Sequence, residues 1–225
     1  MVDSPPFWEQ PEQVERFASR PPDERLLDLL QAYEVPDKTR VLDLGCAGGR
    51  NTVVLAERGF DFWAIDSSQR MVEHCRRRVA EVVGGKEADR RVMVGKMHDL
   101  NQFDPESLDM VVSLGVYHNA SSRAEWDLAL AETARVVRPE GLVLVANFSP
   151  RSDPTGHGLR PAGEENVYEG FDAGPVFLLE ADQLDAEMLA HGLRPVTRTE
   201  TVRTATAKGY RVTVNALYRR QSSTV

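Results

Sequence analysis

The sequence predicts an α/β fold in which helices cover a mostly parallel sheet. Strand-like apolar runs alternate with helix-period stretches between about residues 39 and 148, the pattern of parallel strands joined by crossover helices. These runs are nearly continuous in Val, Leu, Ile and Met, as expected for strands buried on both faces. Near the end of the chain, two alternating runs are typical of an antiparallel hairpin on a sheet edge.

The individual elements follow from periodicity and capping signals. We expect strands at 40–45, 61–66, 91–95, 108–114 and 141–148. We expect helices at 51–58, 68–83, 122–137 and 180–191. The third of these helices opens with Ser122 and Glu125, the spacing of a capping box. The hairpin strands are expected at 195–203 and 210–220, on either side of a turn at Lys208 and Gly209.

The 225 residues fit a single domain with appended segments. Residues 1–36 hold six prolines around two short helical patterns and are expected to form a helical lid on a core of residues 37–148. From 149 to 175, nine of 27 residues are Gly or Pro, so an irregular, functional insertion is expected over 149–177. Residues 178–225 supply the last helix and the hairpin.

Composition narrows the class of protein. The chain carries 27 Lys and Arg against 35 Asp and Glu, a net charge of −8, which disfavours nucleic acid as a partner. Its two cysteines, Cys46 and Cys75, lie in no metal-binding or disulfide pattern. We find no transmembrane run and no signal peptide in the sequence, so a cytoplasmic protein is expected. The basic run 76–78 is interpreted as a solvated helix face.

The most informative segment is 41-VLDLGCAGGR-50, a buried strand that leads into a glycine cluster and then a helix. Glycines let a ligand approach the backbone closely and tolerate positive φ. Asp66 closes the next strand, where a carboxylate can accept the hydroxyl protons of a ribose. Asp43, just before the first glycine, suits a cationic ligand better than a pyrophosphate. The order of the glycines does not match the dinucleotide fingerprint G-x-G-x-x-G.

This segment resembles motif I of class I S-adenosylmethionine-dependent methyltransferases, D-x-G-x-G-x-G. Asp43, Gly45 and Gly49 match it, and Ala47 replaces the middle glycine. Residues 64-AIDSS-68, 95-GKMHDL-100, 109-DMVVSLGVYHN-119 and 133-TARVVRPEGLVLV-145 resemble the family's later motifs in the same order. The resemblance implies a Rossmann-like, seven-stranded, mostly parallel sheet with helices on both faces and a C-terminal antiparallel hairpin.

The resemblance also implies a cofactor, S-adenosyl-L-methionine, which leaves as S-adenosyl-L-homocysteine. The residues then expected to bind it are Arg20, Asp43, Gly45, Cys46, Ala47, Gly49, Asp66, Ser67, Met71, Met97, His98, Asp99, Ser113, Leu114 and His118. Arg20 belongs to the expected lid, from which it can pair with the carboxylate of the methionine moiety. We expect no metal site.

His118 and Tyr117 are the candidate catalytic residues, because they follow the strand whose carboxyl end faces ligands in open α/β sheets. A packing role for His118 beside Tyr117 is an open alternative. Candidate substrate contacts are Trp8, Tyr117, Glu165 and Tyr168. For the lid aromatics the alternative is a tail pinned to the core, and for the insertion it is a mobile acidic loop.

These observations predict a methyltransferase that transfers a methyl group to a small-molecule acceptor by in-line displacement. The acidic charge and the lack of room for a second recognition domain favour a small acceptor. One alternative is a non-catalytic protein that binds S-adenosylmethionine or S-adenosylhomocysteine. A tRNA or protein methyltransferase is a further alternative, and a nicotinamide-dependent oxidoreductase is disfavoured by the glycine order. The sequence gives no oligomeric state.

Overall fold

The computed structural model describes residues 6–222, and the chain divides between Lys96 and Met97 into two compact units. Helices and strands alternate along both units, which confirms the predicted mixed α/β class. All seven strands expected from the resemblance are present among the described residues, together with four short additional ones. The division falls inside the predicted 37–148 core, and the prediction of a single domain stays a prediction.

The first unit contains three parallel strands and five helices within its described residues. Its elements are α1 (Pro11–Ala18), α2 (Glu24–Leu30), β1 (Arg40–Leu44), α3 (Thr52–Glu57), β2 (Asp61–Asp66), α4 (Gln69–Val83), α5 (Gly85–Arg91) and β3 (Val92–Val94). β1 pairs with β2 from Arg40 opposite Asp61 onward, and β3 pairs with the end of β2. The apolar residues of β1 and β2 are buried almost continuously, as the sequence predicts for parallel strands.

The second unit begins with a parallel pair and ends with antiparallel strands. Its elements are β4 (Leu108–Leu114), α6 (Arg123–Val136), β5 (Val137–Phe148), β6 (Arg160–Pro161), β7 (Val167–Glu169), β8 (Val176–Phe177), α7 (Ala181–Ala190), β9 (Leu193–Pro195), β10 (Glu200–Ala205) and β11 (Tyr210–Arg220). β4 is parallel to β5, and β11 is antiparallel to β5. The predicted hairpin is therefore present as β10 and β11.

Three elements differ from the expectation. The predicted strand 195–203 is two strands, because β9 ends at Pro195 and pairs with the end of β11, whereas β10 pairs with its beginning. The insertion is not wholly irregular: β6, β7 and β8 form a small antiparallel sheet in which Val167, Val176 and Phe177 are buried. The unpredicted α5 buries only Ala88 and is stabilised by the charged pair Glu87–Arg91, so hydrophobic periodicity does not reveal it.

Candidate active site

The glycine turn, defined here as Gly45–Gly49, reverses the chain between β1 and α3. Gly45, Ala47 and Gly49 all adopt positive φ, at 69°, 46° and 85°. The N–H groups of Gly45 and Cys46 both donate to the Ile65 carbonyl oxygen, at 2.8 and 2.9 Å. Ala47 therefore adopts a left-handed conformation that disfavours residues with a Cβ atom, which explains why glycine suits this position in the motif.

Asp66, at the end of β2, fixes the position of this turn. Ala47 N donates to Asp66 Oδ2 and Ser68 N donates to Oδ1, both at 2.9 Å. Burial raises the pKa of Asp66, an effect that these two backbone donors oppose. A carboxylate oxygen accepts more than one hydrogen bond, so both oxygens keep acceptor capacity for the vicinal hydroxyls of a ribose.

Asp43, on β1, is a buried carboxylate directly before the turn. Its Oδ2 accepts a hydrogen bond from Thr52 Oγ1 at 2.6 Å, and the side chain is 2% exposed. Burial raises the pKa of Asp43 to about 6, and the negative charge of Asp66 adds to that rise while Arg50 opposes it. A cation bound beside Asp43 would lower this pKa, so the site favours a positively charged ligand.

Two glycines of the turn are required by packing rather than by φ alone. A Cβ on Gly48 would lie 2.4 Å from Ala18 Cβ, and one on Gly49 would lie 2.8 Å from Cys75 Sγ. The side chains of Cys46 and Cys75 are buried, and hydrogen bonding with Cys75 together with burial raises the pKa of the Cys46 thiol. Cys46 thus contributes its backbone to the turn while its thiol is unreactive.

The segment before β1 packs against the same end of β2. Ser68 Oγ donates to the Trp8 carbonyl oxygen at 3.0 Å, and the Trp8 ring contacts Phe17 edge-on at 5.2 Å. The Arg20 guanidinium lies 4.2 Å above the Phe17 ring. The segment predicted as a lid is thus anchored beside Asp66, while the assignments of Trp8 to substrate and Arg20 to cofactor stay proposals.

Two further residues of the first unit, Ser67 and Met71, are predicted from the sequence to bind the cofactor. Ser67 is exposed, whereas its neighbour Ser68 is buried and accepts a hydrogen bond from Met71 N at the start of α4. Met71 is 1% exposed and belongs to the packed face of α4. The Ser68 side chain therefore shapes this end of the strand, and the assignments of Ser67 and Met71 to the cofactor stay proposals.

In the second unit, Ser113 and Leu114 end β4, and a short 3₁₀ helix containing Tyr117 and His118 follows. Tyr117 has no exposed surface, and its hydroxyl lies 2.8 Å from Thr133 Oγ1. Burial raises the pKa of Tyr117 to about 12. The structure does not support the predicted catalytic and substrate roles of Tyr117, because its hydroxyl is used within the core and holds its proton tightly.

His118 lies in an aromatic environment that keeps it neutral. Its ring packs on Phe148 at 4.3 Å, and Phe148 N donates to His118 Nδ1 at 3.4 Å. Burial lowers the pKa of His118 to about 4, an effect that the Asn147 side chain opposes and the charge of Arg211 reinforces. An imidazole with this pKa is a weak base, so the geometry favours a hydrogen-bonding or packing role.

The segment that resembles the third motif also lies in the second unit. His98 Nδ1 is 3.3 Å from Glu125 Oε1, and Asp99 is exposed, with its Oδ1 accepting a hydrogen bond from Asn101 Nδ2 at 2.7 Å. Met97 is partly exposed. The assignment of these three residues to the adenine stays a proposal.

Two neighbouring acidic residues of the insertion, Glu164 and Glu165, differ in their contacts, and the assignment of Glu165 to substrate stays a proposal. Both side chains are exposed, and Glu164 Oε2 accepts a hydrogen bond from Arg123 N at 2.7 Å and so caps α6. Tyr168 lies on β7 and is partly buried, and Phe171 stacks on Phe148 at 5.2 Å. Phe171 also borders an open surface cavity of about 400 Å³.

Sequence reasoning missed three residues that shape the glycine turn. Thr52 binds Asp43, Gly48 accommodates Ala18, and Arg78 Nη1 donates to the Gly48 carbonyl oxygen at 2.9 Å. The basic run was expected to be solvated, which is wrong for Arg78 and also for Arg76, whose Nε donates to Val92 O at 2.8 Å. Charge pattern alone carries no signal for such backbone contacts.

The comparison with known protein families agrees with the resemblance found in the sequence. Residues 41–141 match the model of the methyltransferase domain family. This match covers less than half of the chain and makes that stretch similar to methyltransferases. Among curated proteins, the putative methyltransferase YqeM of Bacillus subtilis is 26% identical over 110 residues, covering 49% of this chain and 42% of that protein. The ubiquinone biosynthesis O-methyltransferase of Sinorhizobium fredii is 27% identical over 163 residues, covering 71% and 62%.

Solved structures share the fold of this chain. The PH0226 protein of Pyrococcus horikoshii has a TM-score of 0.65 and 18% identity, covering 96% of this chain and 94% of that one. An N1-methyltransferase of Burkholderia thailandensis, solved with 1,6-didemethyltoxoflavin and S-adenosylhomocysteine, has a TM-score of 0.61 and 19% identity, covering 94% and 80%. The predicted fold is confirmed, and the match over residues 41–141 agrees with the predicted resemblance to methyltransferases.

The matches to curated relatives are partial. The chain spans 42% and 62% of the length of the two curated proteins described above. Within residues 6–222, none of the helices combines the length and apolar character that crossing a bilayer requires.

Proposed function

We propose that the chain is an S-adenosylmethionine-dependent methyltransferase that acts on a small molecule. The observation that carries this proposal is the arrangement of Asp66, which receives hydrogen bonds from Ala47 N and Ser68 N and retains acceptor capacity beside the glycine turn. The buried Asp43 adds a negative charge that suits a sulfonium. The residues present therefore fit S-adenosylmethionine, which supplies an activated methyl group on sulfur.

The chain's own residues then have distinct tasks. Asp66 binds the ribose hydroxyls, and the glycine turn allows the cofactor to approach the backbone closely. Asp43 stabilises positive charge. Met97, His98 and Asp99 are proposed at the adenine, and Ser113, Leu114 and His118 near the reacting groups. Arg20 is proposed to pair with the carboxylate of the methionine moiety.

Methyl transfer from a sulfonium requires alignment of three atoms more than it requires proton transfer, and orientation alone lowers such barriers strongly. The low pKa of His118 and the high pKa of Tyr117 both disfavour a strong general base. We therefore favour acceptors that present a free lone pair or an easily ionised group. The exposed Glu165 and the partly buried Tyr168 and Trp8 are proposed acceptor contacts, and the cytoplasm is the proposed location.

The proposal is tested by calorimetry with S-adenosylmethionine and S-adenosylhomocysteine. The wild-type chain is expected to bind both, and Asp66→Ala to raise the Kd at least about 100-fold, because it removes a charged acceptor and two backbone hydrogen bonds, one of them to the turn. Asp61→Asn, at the opposite end of β2, is the matched control. Absence of binding by the wild-type chain would overturn the proposal.

A non-catalytic binding protein is the second candidate, and the lack of a strong base in the described site favours it. Incubation with radiolabelled S-adenosylmethionine and a panel of phenols, thiols, amines and carboxylic acids separates the two functions. Transfer of label to any acceptor excludes the binding protein, whereas binding without transfer across the panel favours it.

A further inference from the structure

One guanidinium connects the glycine turn with the helix α1 that precedes it in the first unit. Arg78, on α4, donates from the same Nη1 to Gly48 O at 2.9 Å and to Ala18 O at 3.1 Å. Gly48 belongs to the turn, and Ala18 is the last residue of α1. A single charged donor therefore satisfies one carbonyl group of each element.

The two elements are also in direct steric contact. The position of a Cβ on Gly48 would be 2.4 Å from Ala18 Cβ and 2.7 Å from Ala18 Cα, so α1 packs on the backbone of the turn. Arg78 is only partly exposed. Neighbouring α4 residues contribute as well, because His74 Nδ1 lies 3.4 Å from Gly48 O. The turn is thus held between α1 and α4.

The segment that follows α1 is attached to the same region by further contacts. Arg50 Nη1 donates to Pro21 O at 3.0 Å, and Asp23 N donates to Asn51 Oδ1 at 3.0 Å. Arg50 and Asn51 directly follow the glycine turn. The stretch from Ala18 to Asp23 therefore lies close to the turn, and Arg20 belongs to this stretch.

We propose that Arg78 is a positioning residue that makes docking of α1 and cofactor binding at the glycine turn interdependent. This inference rests on the proposed function of that turn. If the docked form of α1 supports the turn geometry that binds the cofactor, then the cofactor stabilises docking by the same free energy, because coupling between two binding equilibria is reciprocal. Arg78 touches neither reacting group and acts through the backbone of Gly48.

The first test uses the wild-type chain and S-adenosylhomocysteine. Hydrogen exchange of the α1 amides, residues 12–18, is measured by mass spectrometry with and without saturating ligand. Slower exchange of these amides with ligand supports the proposal. Binding with unchanged exchange in α1 overturns the inference and leaves the proposed function intact, whereas no binding overturns the proposed function itself.

The second test compares Arg78→Met with Arg77→Met, the exposed neighbour on the same helix. Arg78→Met is expected to weaken S-adenosylhomocysteine binding about tenfold and to abolish the ligand-dependent protection of α1, since two charge-assisted hydrogen bonds are lost. Arg77→Met is expected to match the wild type in both respects. Binding within twofold of wild type, with protection retained, in Arg78→Met contradicts the proposal.

A conservative variant separates positioning from general stability. Arg78→Lys keeps the positive charge and a flexible donor but loses the planar guanidinium. It is expected to regain part of the affinity and part of the α1 protection that Arg78→Met loses. In the contrary outcome, Arg78→Lys restores the thermal stability of the fold while its ligand affinity and its α1 protection remain as low as in Arg78→Met. That result would make Arg78 a merely structural residue.

Discussion

The glycine turn and the insertion at 149–177 are both rich in glycine, yet different kinds of contact fix their conformations. The turn is fixed by backbone donors to Ile65 and Asp66 and by buried neighbours on two helices. The insertion buries Val167, Val176 and Phe177 and is also held by carboxylates at its surface, such as Glu164 on the start of α6 and Asp153 on Gly156 N. We therefore expect substitutions in the glycine turn to disturb the fold more than substitutions among the surface contacts of the insertion.

The sharpest test of this contrast compares two glycines of similar φ. Gly49 has φ 85° and a crowded Cβ position, and Gly158 has φ 73° and open space around it. Gly49→Ala is expected to destabilise the chain by about 2–5 kcal/mol, from backbone strain plus overpacking, and Gly158→Ala by about 1–2 kcal/mol from strain alone. Urea unfolding measures both values. Equal losses would remove the packing argument for the turn.

At the base of the insertion, His118 should make stability depend on pH. Its pKa is about 4 in the folded chain and about 6.5 when unfolded, so the unfolded state binds more protons between these values. Stability is therefore expected to fall as pH decreases from 6.5 to 4, by about 3 kcal/mol. His118→Gln should lose this pH-dependent part of the stability. His157 is exposed, so His157→Gln should retain it. Identical pH profiles for all three proteins would contradict the buried, neutral imidazole.

Beside the turn, Asp43 should produce a dependence of opposite sign. Its folded pKa of about 6 exceeds the ordinary value of 3.8, so the folded state binds more protons in that window. As pH rises from 4 to 7, the free energy of unfolding of Asp43→Asn is expected to increase by about 3 kcal/mol relative to that of the wild type. The same variant is expected to bind S-adenosylhomocysteine more weakly. Thermal unfolding across pH measures the difference. A constant difference between the two proteins would exclude the raised pKa.

The smallest effect is expected in the insertion itself. Glu164→Gln should destabilise the chain by about 0.5–1 kcal/mol, because a charged acceptor at the first N–H group of α6 becomes neutral. Glu165→Gln, at the exposed neighbouring position, should change stability by less than about 0.5 kcal/mol. Chemical unfolding at neutral pH provides the measurement. A larger loss for Glu165→Gln would mean that the insertion is held differently from the observed contacts.

The same contrast explains what the sequence could predict. The turn was predictable because its φ requirements and its carboxylates, Asp43 and Asp66, leave a local pattern of glycines and acidic residues. The roles of Gly48 and Arg78 were not predictable, because both depend on contacts with Ala18. Ala18 lies 30 residues before Gly48 and 60 residues before Arg78. Long-range steric and backbone contacts leave no local periodicity.

In the insertion, the failure had a different cause. The short strands β6, β7 and β8 contain two or three residues each, which is too few for a period of two to be recognised among nine glycines and prolines. The role of Glu164 as a cap depends on its proximity to α6, 41 residues earlier in the chain. Tyr117 and His118 were located correctly at the end of β4, but burial, which sets their pKa values, was not visible in the sequence.

The burial of both cysteines has a practical consequence for biophysical work. Cys46 and Cys75 are the two cysteines of the chain, and both are enclosed, with the Cys46 thiol held in its protonated form. Thiol reagents attack accessible thiolates, so the folded native chain should resist maleimide labelling. A single cysteine introduced at the exposed Glu15 on α1 would then carry a fluorophore at one defined position without prior removal of the native thiols.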